Sequence, residues 1–248
     1  MIYMGKRLIV QRRGKGGSVF KSPRWKHIAK AKYRNLTNVF YKKTIVGYVV
    51  DLLHEPGRTC PIMKVKFEDN VTCYLPAPEG IAIGQKILYG AEAPPNLGNI
   101  LALKNIPDGS RICNVELAPG DGGKIARASG TYAIVLTHTN NKVLIQLPSK
   151  RTKEVDGRAR AMIGIISAGG RIEKPLLKAG KAYHISKSKS WKYPTVRGKA
   201  MSPYAHPAGG GSHPKGLTPA PRNAPPGAKV GHIAPKRTGR SCLLYTSD

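Results

Sequence analysis

The first carboxylate in this chain is Asp51, and after Glu173 no other appears until the final residue, Asp248. Residues 1–50 carry 13 Lys or Arg and residues 174–247 carry 14, so both ends are purely cationic. Segments of that kind cannot form internal ion pairs, and they repel themselves unless an external polyanion neutralises them. The stretch between them, 51–173, holds 15 Lys or Arg against 12 acids. A nearly neutral centre can fold in free solution; the two ends require anions from elsewhere. Over the whole 248 residues the formal charge is +29, and nucleic acid is the polyanion that best answers it. A membrane surface is a distant second, and no membrane partner is expected.

Other classes fall away quickly. No run of about 18 apolar residues exists to span a bilayer, and the opening MIYMGKRLIVQRRGKGG lacks the apolar core of a secretory signal. Cys60, Cys73, Cys113 and Cys242 are scattered with no Cys-x-x-Cys pair, which argues for reduced thiols in an intracellular protein.

Apolar patterning divides the chain where the charge does. The centre is a series of short runs separated by turn residues: 44–50, 61–67, 71–75, 85–90, 111–117, 131–138, 142–147 and 161–167. In 61–67, Met63, Val65 and Phe67 alternate with Lys64 and Lys66, the period of a half-exposed strand. Glu68-Asp69-Asn70 and Asn140-Asn141 read as hairpin turns, because Asn and Asp tolerate left-handed backbone. Eight short strands so spaced predict a mainly β protein built of small barrels, with the Pro/Gly-rich stretch Gly90–Gly109 as their seam. Val49, Val65, Ile134 and Leu144 are the expected core positions, and only Ser22–Tyr33 carries a helical period. Residues 194–240 hold 9 Pro and 8 Gly in 47 positions. Such a segment cannot bury enough apolar surface to offset its ordering entropy, so it reads as an arm that orders on a partner.

Catalytic motifs fail on inspection. Gly120-Asp121-Gly122-Gly123-Lys124 resembles a phosphate loop, but Ala118 and Ile125 stand where glycine and a hydroxyl residue are required. It reads instead as a Gly-rich turn whose amides and lysine face phosphate or solvent. Gly14 and Gly16 have no third glycine at Val19 and no preceding strand, so no dinucleotide site is expected. The cysteines are too dispersed for zinc, and the acids lie in turn-like or exposed positions with no pair poised for acid–base work. His184, His206, His213 and His232 are separated by Pro-rich text and do not preorganise a metal site. Trp25, Tyr33, Trp191, Tyr193 and Tyr204 lie among Lys and Arg. That interleaving suits base stacking with phosphate neutralisation, though the same rings could merely pin each arm to its barrel.

Longer motifs carry a resemblance. The runs 119–136, 162–184, 194–201, 206–211 and 222–240 resemble the family of the universal second protein of the large ribosomal subunit. The opening 4–23 is similar to its archaeal and eukaryotic cytosolic branch. The resemblance covers about Met4 to Arg240 in order. It implies a basic N-terminal arm (1–41), an OB-like barrel (42–106), an SH3-like barrel (107–193) and a basic C-terminal arm (194–240). It also implies a structural, non-enzymatic role in translation: binding large-subunit 23S-type rRNA, supporting subunit assembly and association, and organising the peptidyl-transferase region. The implied partners are that rRNA, neighbouring large-subunit proteins and the small subunit at an intersubunit bridge, in the cytoplasm. No cofactor is implied beyond magnesium ions held by the rRNA. The tail Ser241–Asp248 abandons the basic composition and reads as a translated cloning or sequencing adapter, and Met4 is a more family-like start than Met1.

Taken together, the candidate RNA contacts are Lys6, Arg7, Arg12, Arg13, Lys15, Lys21, Arg24, Trp25 and Lys26 at the N-terminal end. In the centre they are Lys124, Arg127, Arg171, Lys181 and His184. Toward the C-terminus they are Lys192, Arg197, Lys199, His206, Gly209, Gly210, Gly211, Arg222, Lys236, Arg237 and Arg240. Departures from the family pattern stand at Lys199, Ser202 and Ala205, the last replacing an acid that would orient the His206 ring. Two other readings stay open: a free translation factor pairing the same barrels, and an enzyme using His206 as a base.

Overall fold

A computed structural model describes residues 8, 12, 15, 17–21, 23–211, 219–225 and 227–235. Lys6, Arg7, Arg13, His213, Lys236, Arg237, Arg240, Cys242 and the tail 241–248 lie outside the described residues. The chain divides into two units, residues 22–181 and the described parts of 1–21 with 182–248.

The 22–181 unit is mainly β, as its patterning predicts. Its strands are β1 (Ile45–Leu53), β2 (Ile62–Phe67), β3 (Thr72–Pro76), β4 (Lys86–Tyr89) and β5 (Ile100–Ala102), then β6 (Arg111–Cys113), β7 (Ala133–Thr139), β8 (Lys142–Gln146), β9 (Thr152–Asp156) and β10 (Arg160–Ile163). They form one sheet in the order β3-β2-β1-β4-β5-β10-β6-β7-β8-β9. All described strand pairs are antiparallel except β4 with β5. The turns at Asn70 and Asn140 have φ of 60° and 42°, the left-handed backbone expected of them.

The two halves share a wall. Ile100, Ala102, Cys113 and Met162 face a first core with Val49, Val65, Leu75, Ile87 and Phe40. Their neighbours Leu101, Ile112 and Ala161 face a second core with Val115, Val135, Val143, Ile145 and Val155. Strands β5, β6 and β10 therefore bury alternate residues in opposite cores. That is why Ile100-Leu101-Ala102, Ile112-Cys113 and Ala161-Met162 are apolar at consecutive positions rather than alternating ones. The arrangement agrees with an OB-like half followed by an SH3-like half, with the sheet continuous through the seam. Short α1 (Val39–Lys42) and the residues before it close the first core, burying Ala31, Tyr33 and Phe40.

Several expectations need correction. Ile134 and Leu144 are only partly buried, and the core positions of β7 and β8 are Ala133, Val135, Val143 and Ile145. Both parities of those runs are apolar, so alternation alone does not say which faces inward. Helical structure within Ser22–Tyr33 is confined to a 3₁₀ turn at Arg24–Lys26, while α2 (Ala179–Lys189) forms where no apolar face signals it. Glu55 and Glu116 are fully buried, not exposed. Strands β5 and β9 were not among the predicted runs, being short and largely polar respectively. Cys60, Cys73 and Cys113 are buried thiols outside any disulfide. No helix among the described residues is long and apolar enough to cross a membrane.

Candidate nucleic-acid interface

The Gly-rich turn is built from beneath by one carboxylate. Glu116 Oε1 accepts from Gly122 N at 2.7 Å, and Oε2 accepts from Gly120 N at 3.3 Å. The same carboxylate takes Arg160 N at 3.0 Å, Arg160 Nε at 2.9 Å and Arg160 Nη2. Arg160 spends its remaining nitrogen on Tyr89 Oη at 2.6 Å and the Arg34 carbonyl at 2.8 Å. Burial works against the guanidinium charge, yet the bonds and charge of Glu116 hold its pKa above the ordinary arginine value. At Gly123, φ is +90° and an added Cβ would meet the Asn114 side chain at 2.2 Å, so no other residue fits. The loop thus presents Lys124 to solvent from a fixed base, with Asp121 beside it at 3.7 Å.

Arg127 turns inward. Its Nη1 donates to Gly123 O at 2.9 Å and its Nη2 to Ala31 O, tying the loop to the N-terminal segment. Burial lowers its pKa from the ordinary value. Arg171 stays exposed, with Nε on Ser129 Oγ at 3.3 Å. Arg24, Trp25 and Lys181 are exposed or nearly so on the same unit, whereas Tyr33 is 5% exposed and pins its segment to the core.

In the other unit, Arg12, Lys15, Lys21, His184, Lys192, Arg197, Lys199, Gly211 and Arg222 are exposed. Trp191, Tyr193 and Tyr204 are exposed as well. His206 is half-buried: an added Cβ at Gly198 would lie 2.2 Å from its ring, and its Nδ1 accepts from Ala208 N at 3.1 Å. The proton of the neutral ring therefore sits on Nε2. Gly209 and Gly210 serve the arm's own packing. A Cβ at Gly209 would strike the Met201 and Ser202 carbonyls at 2.4 Å, and one at Gly210 would strike Pro203 at 2.3 Å.

Sequence reasoning missed Glu116 and Arg160, which organise the loop from inside the core. The available signal was a charge inside an apolar run, Glu116 after Val115 and Arg160 beside Ala161-Met162. Among the described residues, no three His, Cys, Asp or Glu side chains gather where they could hold a metal ion.

Two sequence profiles match the chain. One described as Ribosomal Proteins L2, RNA binding N-terminal domain, matches residues 5–89, and one described as Ribosomal Proteins L2, C-terminal domain, matches residues 96–230. Curated relatives agree. Large ribosomal subunit protein uL2 of Thermofilum pendens is 65% identical over 238 residues, covering 96% of each chain. The protein of that name from Pyrobaculum aerophilum is 56% identical over 242 residues, covering 97% of each. That of Hyperthermus butylicus is 53% identical over 239 residues, covering 96% of this chain and 99% of its own. With both halves matched and archaeal relatives aligned almost end to end, the chain belongs to the ribosomal protein L2 family, in its archaeal-type branch.

Proposed function

We propose that this chain is a structural, rRNA-binding constituent of the large subunit of the cytoplasmic ribosome and is not an enzyme. The observation that carries the reading is the pairing of family membership over both halves with two acid-free cationic ends, which only a polyanion of great extent can neutralise. Family membership disfavours a free translation factor. The finer roles follow from the same reading: support of subunit assembly, contact with neighbouring large-subunit proteins, a bridge to the small subunit, and placement of RNA around the peptidyl-transferase region. Chemistry there belongs to RNA, and magnesium ions held by the rRNA supply the remaining charge balance. His206 is positional in this scheme, since its Nδ1 is engaged by a backbone amide and Ala205 offers no orienting acid. The test is a high-salt wash of large subunits containing the tagged chain, followed by reconstitution without it. Retention through the wash and failed assembly on omission are expected; release at moderate salt with normal assembly would favour a factor.

A further inference from the structure

Trp25 is 82% exposed, an unusual position for the largest apolar side chain. It does not hang from a loose arm. The 3₁₀ turn that carries it is clamped behind the indole: Gly57 N donates to Lys26 O at 3.1 Å, and His27 Nδ1 donates to Glu55 Oε1. Glu55 is fully buried and also takes Arg58 Nε at 2.7 Å. The His27 ring lies so close over Gly57 that an added Cβ would approach it to 2.2 Å. An exposed ring on a fixed base loses little entropy when something stacks on it.

Its surroundings specify what that is. Lys26 Nζ sits 4.8 Å from the Trp25 ring centroid, and Arg24 is the other neighbour. Five residues on, Lys30, Lys32 and Arg34 line a cleft of about 380 Å³ against Thr72 and Tyr74 of β3, the edge strand of the sheet. Five residues of chain reach no more than about 17 Å, within the span of the 4–16 nucleotides or so that single-strand sites cover. An aromatic platform followed by a cationic groove is the combination that holds an unpaired strand, because bases stack on the ring while phosphates follow the cations. The interior of a duplex cannot use it, since both faces of each internal base pair are already stacked.

We propose that Trp25 is a stacking platform for an unpaired base of single-stranded RNA, whose phosphates run past Arg24 and Lys26 toward the Lys30–Lys32 cleft. This rests on the reading of the chain as RNA-binding and names the form of RNA taken here.

Trp191 is the other tryptophan, so full-length protein carrying Trp191→Phe reports on Trp25 alone. Titrate its fluorescence with a single-stranded oligoribonucleotide, a fully paired RNA duplex, inorganic polyphosphate and poly-glutamate. The single strand is expected to quench Trp25, and the other three to leave it nearly unchanged. Trp25→Ala should lower single-strand affinity about 5- to 150-fold, while Trp25→Phe keeps most of it and polyphosphate affinity stays the same in both. Equal quenching by polyphosphate or duplex, stronger quenching by poly-glutamate, or unchanged single-strand affinity in Trp25→Ala overturns the proposal. Binding of the parent protein to large-subunit rRNA, measured alongside, separates the two levels. If it binds rRNA and Trp25 is silent, stacking alone is wrong; if it does not bind, the underlying reading falls as well.

Discussion

Arg160 and Glu116, forty-four residues apart in sequence, form an ion pair in which neither side chain reaches solvent. The guanidinium is walled by Tyr33, whose ring centroid lies at 5.2 Å, Tyr89 at 5.9 Å and Phe40 at 6.0 Å. The pair joins β10 to the segment after β6, and through Gly120 and Gly122 it shapes the loop that offers Lys124. Replacing either partner alone leaves an unpaired charge in the core. Arg160→Met or Glu116→Leu should each cost about 3–5 kcal/mol. The double variant should recover part of that, but not all, because the buried Gly122 amide would remain unsatisfied at about 1–3 kcal/mol. Urea denaturation of the four proteins tests this; singles that cost under about 1 kcal/mol would rule out the pair as the hub.

The corrected parity of β7 and β8 gives a second expectation. Val135→Asp and Val143→Asp should each destabilise by several kcal/mol, since each buries a charge without a partner. Ile134→Asp and Leu144→Asp, on the partly exposed face, should cost clearly less. Thermal melts that rank the four in the opposite order would contradict the register.

Binding to rRNA should weaken steeply with salt, because each neutralised phosphate releases counterions. Residues 1–21 carry 6 Lys or Arg and residues 194–240 carry 8. Deleting the first should reduce the slope of log K against log salt by at most about 4–5 units, and deleting the second by at most about 6–7. Filter binding across a salt series measures both; an unchanged slope after each deletion would place the phosphate contacts on the β unit.

The positional role proposed for His206 gives a further expectation. His206→Gln should assemble and retain most peptide-bond formation, whereas His206→Ala, Gly198→Ala and Gly210→Glu should impair assembly, the last two by collision with the His206 ring and with Pro203. Single-turnover peptidyl transfer on fully assembled subunits is the readout. A loss of a thousandfold or more in assembled His206→Gln subunits would restore a catalytic role.

Burial in the shared wall pushes the Cys113 thiol well above the ordinary cysteine value. The unfolded thiol ionises near pH 8.5. A pKa raised on folding means stability that is whole below about pH 8.5 and lost as pH rises beyond it. Cys113→Ala should flatten that alkaline loss, and at pH 8 the native thiol should resist alkylation until the protein is unfolded. Rapid labelling of Cys113 in native protein would show the wall to be open.

Much was legible in the residues themselves. Asn70 and Asn140 marked their turns, because a side chain that tolerates left-handed backbone acts locally. The alternation of Met63, Val65 and Phe67 with lysines named the inward face of β2, because polar residues held the other face. The acid-free ends and the long family-like runs pointed to RNA before any fold was known, since charge balance needs no geometry.

Tertiary structure decided the rest, wherever the outcome depended on a distant partner. Ile134 and Val135 are equally apolar, and only packing against the second core chose Val135. Glu55 and Glu116 look like surface acids until His27, Arg58 and Arg160 arrive beside them, from as far as forty-four residues away. Arg127 donates to the Gly123 and Ala31 carbonyls, partners that its place in the sequence does not announce. By itself the sequence determined the number of cations, the sites of most strands and the kind of partner. Which charges face that partner and which are consumed inside was left to the fold, because desolvating a charge is tolerable only where complementary groups already converge.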